Sequence, residues 1–337
     1  MTTIKEVAKL ANVSVATVSR VINNSTKVSP EARIAVEKAQ DELNYHPRIS
    51  TKNIAKFDRE TIGVIVADLS DPYFGNMIRV IDSIAHENSF NVITINAYHD
   101  PFKEKAAIET LIHYGCKCII AHTLTIENEL LARFMRDIPA MVLINRKLEK
   151  FEDRCIYPND EMGSYLAVKH LINNGHREIA YMKSNHKIND TCARFLGYIR
   201  AIEEAKIPFN PKLIVEVDPT PQGGEDGVQM LLNSGVKFTA IATYNDMQAA
   251  GAMAILIDND IKIPDNISVI GYDNMLISRY LQPRLTTILN PVTLMATAAT
   301  NLTMAIHNQS TDTSSIQREF TPTLIKRFTV RDLRSFQ

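Results

Sequence analysis

From residue 61 onward, short apolar segments alternate with longer segments that have the spacing of amphipathic helices. Strands are predicted at TIGVIVAD, NVITINAY, CIIAH and AMVLIN, and again at EIAYMK, LIVEV, TAIATYND and ISVIGYD. Helices are predicted near residues 74–88, 103–113 and 127–136. Apolar strands that alternate with helices are typical of parallel sheets covered on both faces. Because eight or more such strands exceed a comfortable single open sheet, the pattern predicts two doubly wound α/β subdomains.

The longest stretch without a charged residue, 285–311, could suggest a membrane span. It contains Asn290, Pro291 and six threonines between residues 286 and 303, which make it too polar for that role. We interpret it as a strand followed by a buried helix. The start, MTTIKEVAKLANVS, lacks the apolar segment of a secretion signal, so the expected location is the cytoplasm. The four cysteines lack metal-binding spacing and are expected to be reduced and mostly buried.

The first 57 residues differ from the rest of the chain in charge. They contain nine Lys and Arg against five Asp and Glu, which gives +4, while the whole chain carries −1 and the remainder therefore −5. The near-neutral total argues against a uniformly basic surface. The total charge is still compatible with a local basic region that binds a polyanion such as DNA.

Three short helices are predicted within residues 1–46. The first covers about residues 4–11, and Asn12-Val13-Ser14 breaks it. Ser14 can cap a second helix, and a third begins at Ser29-Pro30 with a serine cap and a proline in the first turn. Three helices of which the first two are joined by a tight turn are typical of a helix-turn-helix unit. An ordinary helical hairpin with a solvated polar face would have the same spacing.

The second predicted helix, VATVSRVINN, has an apolar stripe formed by Val18, Val21 and Ile22. Its other side chains face outward, as a recognition helix in the major groove requires. Arg20 is suited to bind guanine with two hydrogen bonds, and Val15 and Ala16 can pack on thymine methyl groups. Small polar side chains at the helix start can contact phosphate. The candidate DNA contacts of this segment are Ser14, Val15, Ala16, Thr17, Ser19, Arg20 and Asn23.

These segments resemble the lactose/galactose repressor family of transcriptional regulators. In the headpiece the resemblance is carried by VAxxAxVSxATVSRVxN and by the ending LNYxP. In the core it is carried by ETIGVIV, DPYFG, LINR, NNGHREIAY, ARFLGY, YNDMQAAGAM, IPDNISVIGYD and QPRLTTI. The pair Val15-Ala16 is of the galactose-repressor type. The resemblance implies an all-α helix-turn-helix headpiece and an α/β core like that of periplasmic binding proteins.

The segment after the headpiece is polar and basic, with isolated apolar residues. The resemblance implies that residues 47–60 form a hinge helix on DNA, whose inserted leucine opens the minor groove in a dimer. The matching position here is Ile54, which is β-branched and therefore stiffer and differently shaped. Lys52 and Lys56 flank it and are placed to contact phosphates.

The resemblance also implies three crossings between the core subdomains, near residues 159, 288 and 321. The expected organisation is a helix-turn-helix domain at 1–46, a hinge at 47–60, a core N-subdomain at 61–158 and 291–320, a core C-subdomain at 159–290 and 321–330, and a tail at 331–337. The last segment, KRFTVRDLRSFQ, has no leucine heptads of the kind that make tetramers in this family. A homodimer is therefore expected.

Polar and aromatic side chains follow most of the predicted strands. Ligands of open α/β sheets bind beyond the carboxyl ends of the strands, so these residues are candidates for a small-molecule site. A sugar offers hydroxyls that acidic, amide and guanidinium groups can pair, and a ring face that an aromatic side chain can cover. Each residue also has a structural explanation as a helix cap, an ion pair or core. The candidates are Tyr73, Phe74, His122, Asn145, Arg146, Asp190, Arg194, Asn245 and Asp273.

The function that the resemblance implies is sequence-specific repression at a pseudo-palindromic operator in double-stranded DNA, with release by a small sugar such as D-galactose. The alternative is a member whose ligand, such as a purine, promotes DNA binding. A purine would require an aromatic sandwich, which the segment Asp218-Pro219-Thr220 does not supply. A transport-linked sugar-binding protein is disfavoured by the headpiece. The sequence lacks GxSxG, GxxxxGK and GxGxxG motifs, so neither catalysis nor a cofactor or metal is expected.

Overall fold

A computed structural model of the chain describes residues 4–22, 28–43, 60–310 and 312–334. These residues fall into two compact units, Met1–Arg59 and Glu60–Gln337. Most of the predicted hinge, including Lys52, Ile54 and Lys56, lies outside the described residues.

The N-terminal unit contains the three predicted helices. They are α1 (Ile4–Leu10), α2 (Val15–Ile22) and α3 (Pro30–Glu42). Both predicted serine caps are present, because the Ser14 hydroxyl accepts a hydrogen bond from the Thr17 amide at 3.1 Å and the Ser29 hydroxyl accepts one from the Ala32 amide at 3.3 Å. A small apolar core holds the three helices together, formed by Val7, Ala8, Val18, Val21, Val36 and Ala39.

The C-terminal unit contains two six-stranded sheets among its described residues. The strands of the first sheet are β1 (Thr61–Val66), β2 (Asn91–Asn96), β3 (Cys118–Ala121), β4 (Ala140–Ile144), β5 (Cys155–Pro158) and β11 (Glu319–Phe320). The second sheet consists of β6 (Ile179–Ser184), β7 (Ile214–Val217), β8 (Ala240–Thr243), β9 (Ser268–Tyr272), β10 (Thr286–Leu289) and β12 (Thr323–Ile325). The first sheet has the order β11-β5-β4-β3-β1-β2 and the second β12-β10-β9-β8-β6-β7.

The chain passes between the two sheets three times. It leaves the first sheet after β5, returns after β10, and crosses again between β11 and β12. Among the described strands, all pairs are parallel except that of β10 with β12, so the parallel sheets predicted from the sequence have one antiparallel edge. A short return strand can reverse direction there because it pairs with a neighbour on one side only.

Helices cover both faces of each sheet, which confirms the doubly wound architecture predicted for the core. The helices are α4 (Pro72–Glu87), α5 (Pro101–His113), α6 (Asn128–Asp137), α7 (Asp160–Asn173), α8 (Asn189–Glu204), α9 (Pro221–Asn233), α10 (Asp246–Asp258) and α11 (Val292–His307). On the first sheet, α4 and α11 share one apolar cluster and α5 and α6 another. On the second sheet, α7 and α8 pack on one face and α9 and α10 on the other.

The uncharged stretch at 285–311 forms β10 and the largely buried α11, as predicted. Within the described ranges, no helix is both long and apolar enough to cross a membrane. Three of the four free thiols are buried and Cys192 is exposed, in agreement with the expectation of reduced, mostly buried cysteines.

Candidate functional site

A cavity of about 500 Å³ lies at the carboxyl ends of strands from both sheets. This volume is within the range of sites that take small organic ligands. The first sheet contributes residues that follow β1, β2, β3 and β4, and the second contributes residues that follow β6, β7, β8 and β9. We refer to these two sets as the first wall and the second wall of the cavity.

Arg194 of α8 is the centre of the second wall. Its Nε donates to Asp160 Oδ1 at 2.8 Å, one terminal nitrogen donates to the Tyr244 carbonyl at 2.7 Å, and the other lies 3.5 Å from Asp273 Oδ1. The guanidinium also lies over the rings of Tyr244 and Tyr272. Burial alone would lower the pKa of Arg194, but the carboxylates of Asp160 and Asp273 outweigh it and raise that pKa well above its usual value. Arg194 therefore remains charged and fixed in place.

Three further polar residues of the second wall, Asp190, Asn245 and Asp273, also have partners within the protein. Asp190 accepts from the Tyr244 hydroxyl at 2.9 Å and from Asn145 Nδ2 at 3.2 Å, the latter across the cavity. Asp273 accepts from Asn290 Nδ2 at 3.0 Å. Asn245 lines the cavity and also caps α10, since its Oδ1 accepts from the Gln248 amide at 2.8 Å. The structural and ligand-facing interpretations of Asn245 are thus compatible.

The first wall differs because it carries polar atoms that lack partners. Among the described residues, four buried atoms of this wall make no hydrogen bond: the Tyr73 hydroxyl, His99 Nδ1, His122 Nδ1 and Asn145 Oδ1. A buried polar group without a partner is costly, and native proteins contain few of them. A cluster at one cavity wall is the arrangement expected of groups that bind a ligand.

Burial keeps the histidines of the first wall neutral. It lowers the pKa of His122 to about 3, with the neighbouring His99 adding to the shift, and it lowers the pKa of His99 as well. The His122 ring lies edge-on to Phe74 with centroids 4.8 Å apart, and His99 lies 5.4 Å from His186 of the second wall. A neutral imidazole offers one donor and one acceptor, which suits a ligand hydroxyl.

Four cavity residues adopt backbone conformations that residues other than glycine rarely take, and two of them, Tyr98 with φ 53° and His99 with φ 51°, follow β2. Asn145 follows β4 with φ 62°, and Asp273 follows β9 with φ 97°. Such strain persists where the surroundings fix it and is frequent at ligand sites. In each case the turn directs the side chain into the cavity.

Of the nine sequence-predicted ligand residues, eight line the cavity. They are Tyr73, Phe74, His122, Asn145, Asp190, Arg194, Asn245 and Asp273. Arg146 is the exception. Its guanidinium donates to the carbonyls of Thr123 and Ile126 and to Asn128 Oδ1, each at 2.7 Å, in the loop after β3. The prediction for Arg146 was wrong because consecutive side chains at a strand end point in different directions, and only Asn145 faces the cavity.

Several lining residues were missed by the sequence reasoning. Tyr98 and His99 follow β2, His186 follows β6, and Tyr244 follows β8. The same strand-end rule that selected Asn145 and Asp273 would have found them. They also change the case against a planar ligand, because the aromatic rings missing from the segment at 218–220 are supplied by other strand ends.

The described part of the predicted DNA-binding segment lies in and beside α2. Ser14, Val15, Ala16 and Arg20 are exposed, and Val15 keeps 42% of its surface although it is apolar. Thr17 and Ser19 are half-buried, and Asn23 lies outside the described residues. Val18 and Val21 point into the small core. The exposed face of α2 therefore combines a guanidinium with small apolar side chains.

Two family models match the chain. The model described as bacterial regulatory proteins, lacI family, matches residues 3–48. The model described as periplasmic binding proteins and sugar binding domain of LacI family matches residues 59–323. These matches confirm the resemblance inferred from the headpiece and core motifs.

The chain is also similar to individual proteins. It is 45% identical to the HTH-type transcriptional regulator GalR of Escherichia coli K12 over 330 residues, covering 98% of this chain and 96% of that protein. Among solved structures it resembles a sugar-binding transcriptional regulator of the LacI family from Escherichia coli complexed with phosphate. The TM-score is 0.73 and the sequence identity 28%, and the match covers 81% of this chain and 98% of that chain. The chain also resembles a lac repressor dimer bound to operator and the anti-inducer ONPF, with TM-score 0.71, 25% identity, and coverage of 98% and 99%. Relatives named as transcriptional regulators confirm the prediction of a regulator rather than an enzyme.

Proposed function

The chain belongs to the LacI family of bacterial regulatory proteins, and from this premise we propose that it is an operator-binding repressor that D-galactose releases from DNA. The observation that carries the choice of sugar is the 45% identity to GalR over nearly the whole chain. The cavity supports a polyhydroxylated ligand on independent grounds of chemistry.

A hexose fits the cavity because its hydroxyl groups can act as donors and acceptors at once. The four unpartnered atoms of the first wall could each take one hydroxyl. The carboxylates of Asp190 and Asp273 on the second wall are acceptors, while the Phe74 ring offers an apolar surface. In this proposal the ligand residues are Tyr73, Phe74, His122, Asn145, Asp190, Arg194, Asn245 and Asp273, together with His99.

Operator recognition is assigned to the exposed face of α2. Arg20 is proposed to bind a guanine edge, and Val15 and Ala16 are proposed to contact thymine methyl groups in the major groove. Ser14, Thr17 and Ser19 are assigned to phosphates. The predicted contacts at Asn23, Lys52, Ile54 and Lys56 belong to the same proposal, with Ile54 as a minor-groove wedge.

Release follows from the position of the cavity between two sets of strands. In this proposal residues 61–158 and 291–320 move relative to residues 159–290 and 321–330. A sugar that contacts both walls binds one arrangement more tightly than the other and shifts the population toward it. In a homodimer, the arrangement that the sugar selects would separate the paired hinge segments. The dimer is proposed because the lac repressor that this chain resembles was solved as one, and the site of action is proposed to be the cytoplasm.

The experiment measures the affinity of the full chain for a DNA duplex selected by the protein from a random pool, with and without sugar. We expect nanomolar affinity, and weakening by D-galactose of at least about ten-fold. Arg20→Ala should lose specific binding. Asp273→Asn should bind the duplex normally but no longer respond to galactose, because Asp273 lies in the cavity and not in the headpiece.

The same titration separates the competing assignments. D-Fucose, glucose, lactose and hypoxanthine are tested beside galactose. Operator affinity that no sugar changes would refute the galactose proposal. If hypoxanthine instead strengthens DNA binding, the chain is a corepressor-type member, for which the aromatic rings around the cavity would be the basis.

A further inference from the structure

The loop that follows β3, residues 122–127, is fixed by two buried charged side chains. One is Glu104 of α5, which is 1% exposed, and the other is Arg146, which is 7% exposed. Glu104 accepts hydrogen bonds from three successive backbone amides, those of Leu124 at 2.9 Å, Thr125 at 3.0 Å and Ile126 at 2.7 Å. Arg146 donates to the loop carbonyls and to Asn128, as described above. We refer to Glu104 and Arg146 together as the loop clamp.

The clamp pairs three amides and two carbonyls of the loop backbone. Backbone groups removed from water need partners, and here the partners are ionised side chains rather than a neighbouring strand. Bonds to charged groups are stronger than bonds between neutral ones, so the loop conformation is strongly fixed. A loop of this length without the clamp would leave several amides and carbonyls unpaired.

Each clamp residue acts on a part of the chain that is close in sequence to a cavity residue. His122 begins the loop that Glu104 holds, and Asn145 directly precedes Arg146. These two residues supply two of the four unpartnered atoms of the first wall, His122 Nδ1 and Asn145 Oδ1. Their side chains also lie close together, with Asn145 Nδ2 3.4 Å from His122 Nε2.

We propose that Glu104 and Arg146 are positioning residues for sugar binding, which hold His122 and Asn145 at the spacing that the ligand requires without contacting it. This inference rests on the proposed function of the cavity. Glu104→Gln should weaken galactose binding about ten-fold, because the amide nitrogen faces backbone donors where an acceptor is needed. Arg146→Lys should have a similar effect, since an ammonium cannot reproduce the planar fork.

The test is a double-mutant cycle on galactose affinity, measured by calorimetry with the full chain. Its variants are Glu104→Gln, His122→Ala and the combination. If Glu104 acts through His122, Glu104→Gln should change affinity by less than about two-fold once His122 is absent. Equal losses in both backgrounds, or wild-type affinity in Glu104→Gln, would overturn the proposal. Operator affinity without sugar should remain within about two-fold of wild type.

Glu109→Gln is the matched control, because Glu109 lies on the same helix, is half exposed and pairs with Lys105 at the surface. Hydrogen exchange of the amides at 124–126 provides a second readout that needs no sugar. These amides should exchange faster in Glu104→Gln and not in Glu109→Gln, and unchanged exchange would also overturn the clamp. If the wild type binds no galactose, the proposed effector is wrong. The cycle is then run with the hexose that binds, and if no hexose binds, the positioning proposal is refuted together with the proposed function.

Discussion

The two walls of the cavity differ in whether their buried polar groups have partners within the protein. On the second wall Arg194, Asp190 and Asp273 are paired with one another or with neighbours inside the protein. On the first wall the Tyr73 hydroxyl and the imidazole nitrogens of His99 and His122 are buried without partners. The second wall therefore contributes to folding in the absence of ligand, whereas the first wall carries polar groups whose desolvation is uncompensated until a ligand arrives. Stability and ligand affinity should respond differently to mutations on the two walls.

The largest expected effect is on the second wall. Arg194→Met should lower the free energy of unfolding by about 3–5 kcal/mol, because it leaves the buried carboxylates of Asp160 and Asp273 without their counter-charge. Urea denaturation monitored by circular dichroism measures the change. The control is Arg200→Met on the same helix. The ion pair of Arg200 with Glu161 is exposed, so this variant should lower the free energy of unfolding by less than about 1 kcal/mol. Similar losses for both variants would contradict a paired second wall.

A pair of tyrosines compares the walls directly. Tyr244→Phe removes a buried hydroxyl that donates to Asp190, and it should cost about 1.5–3 kcal/mol of stability. Tyr73→Phe removes a buried hydroxyl that has no partner, and it should leave stability unchanged or slightly raised. Thermal and urea unfolding measure the stability of each variant relative to wild type. Equal destabilisation would mean that Tyr73 is paired and that the contrast between the walls is wrong.

Acidic pH should destabilise the protein through His122 of the first wall, because burial lowers the pKa of this histidine to about 3. An unfolded histidine takes up a proton below about pH 6.5, while folded His122 remains neutral, so stability falls as the pH decreases from that value. Between neutral pH and about pH 5 this histidine should account for a loss of about 2 kcal/mol. His122→Gln should reduce the loss measured by urea denaturation at the two pH values. The exposed His113→Gln should not, and an equal effect of both would refute the assignment.

The smallest effect concerns affinity. Tyr73→Phe should weaken galactose binding by about 0.5–1.5 kcal/mol, which is the usual net value of one hydrogen bond. Calorimetry with galactose and its singly deoxygenated analogues measures the loss. It should disappear for the analogue that lacks the hydroxyl bound by Tyr73. A loss that is the same for every analogue would show that Tyr73 acts indirectly, and the first wall would then have one fewer ligand group.

The sequence was sufficient for the architecture because strands and helices have local signals. Apolar segments such as TIGVIV gave strands, and Ser14 and Ser29 marked helix starts through their capping chemistry. The antiparallel return strand β12 had no such signal, because three residues cannot display a period. Its position depends on where the chain crosses between sheets.

The site was predictable only as far as strand ends could be located. Asn145 and Asp273 follow strands, and the fold brings them to one cavity. Arg146 satisfied the same rule, but the direction of its side chain depends on the turn at Asn145, where φ is 62°. Glu104 gave no signal at all, because a glutamate in a helix is ordinarily solvated. Its burial arises from a loop that begins about twenty residues later in the chain.

The most direct test of the account is reciprocity between the cavity and the operator. Galactose affinity is measured by calorimetry for the full chain alone and for the chain saturated with its operator duplex. If the two sites are coupled, DNA must lower galactose affinity by the same factor by which galactose lowers operator affinity. Galactose affinity that is identical with and without DNA would contradict the claim that ligand binding in this cavity controls operator affinity.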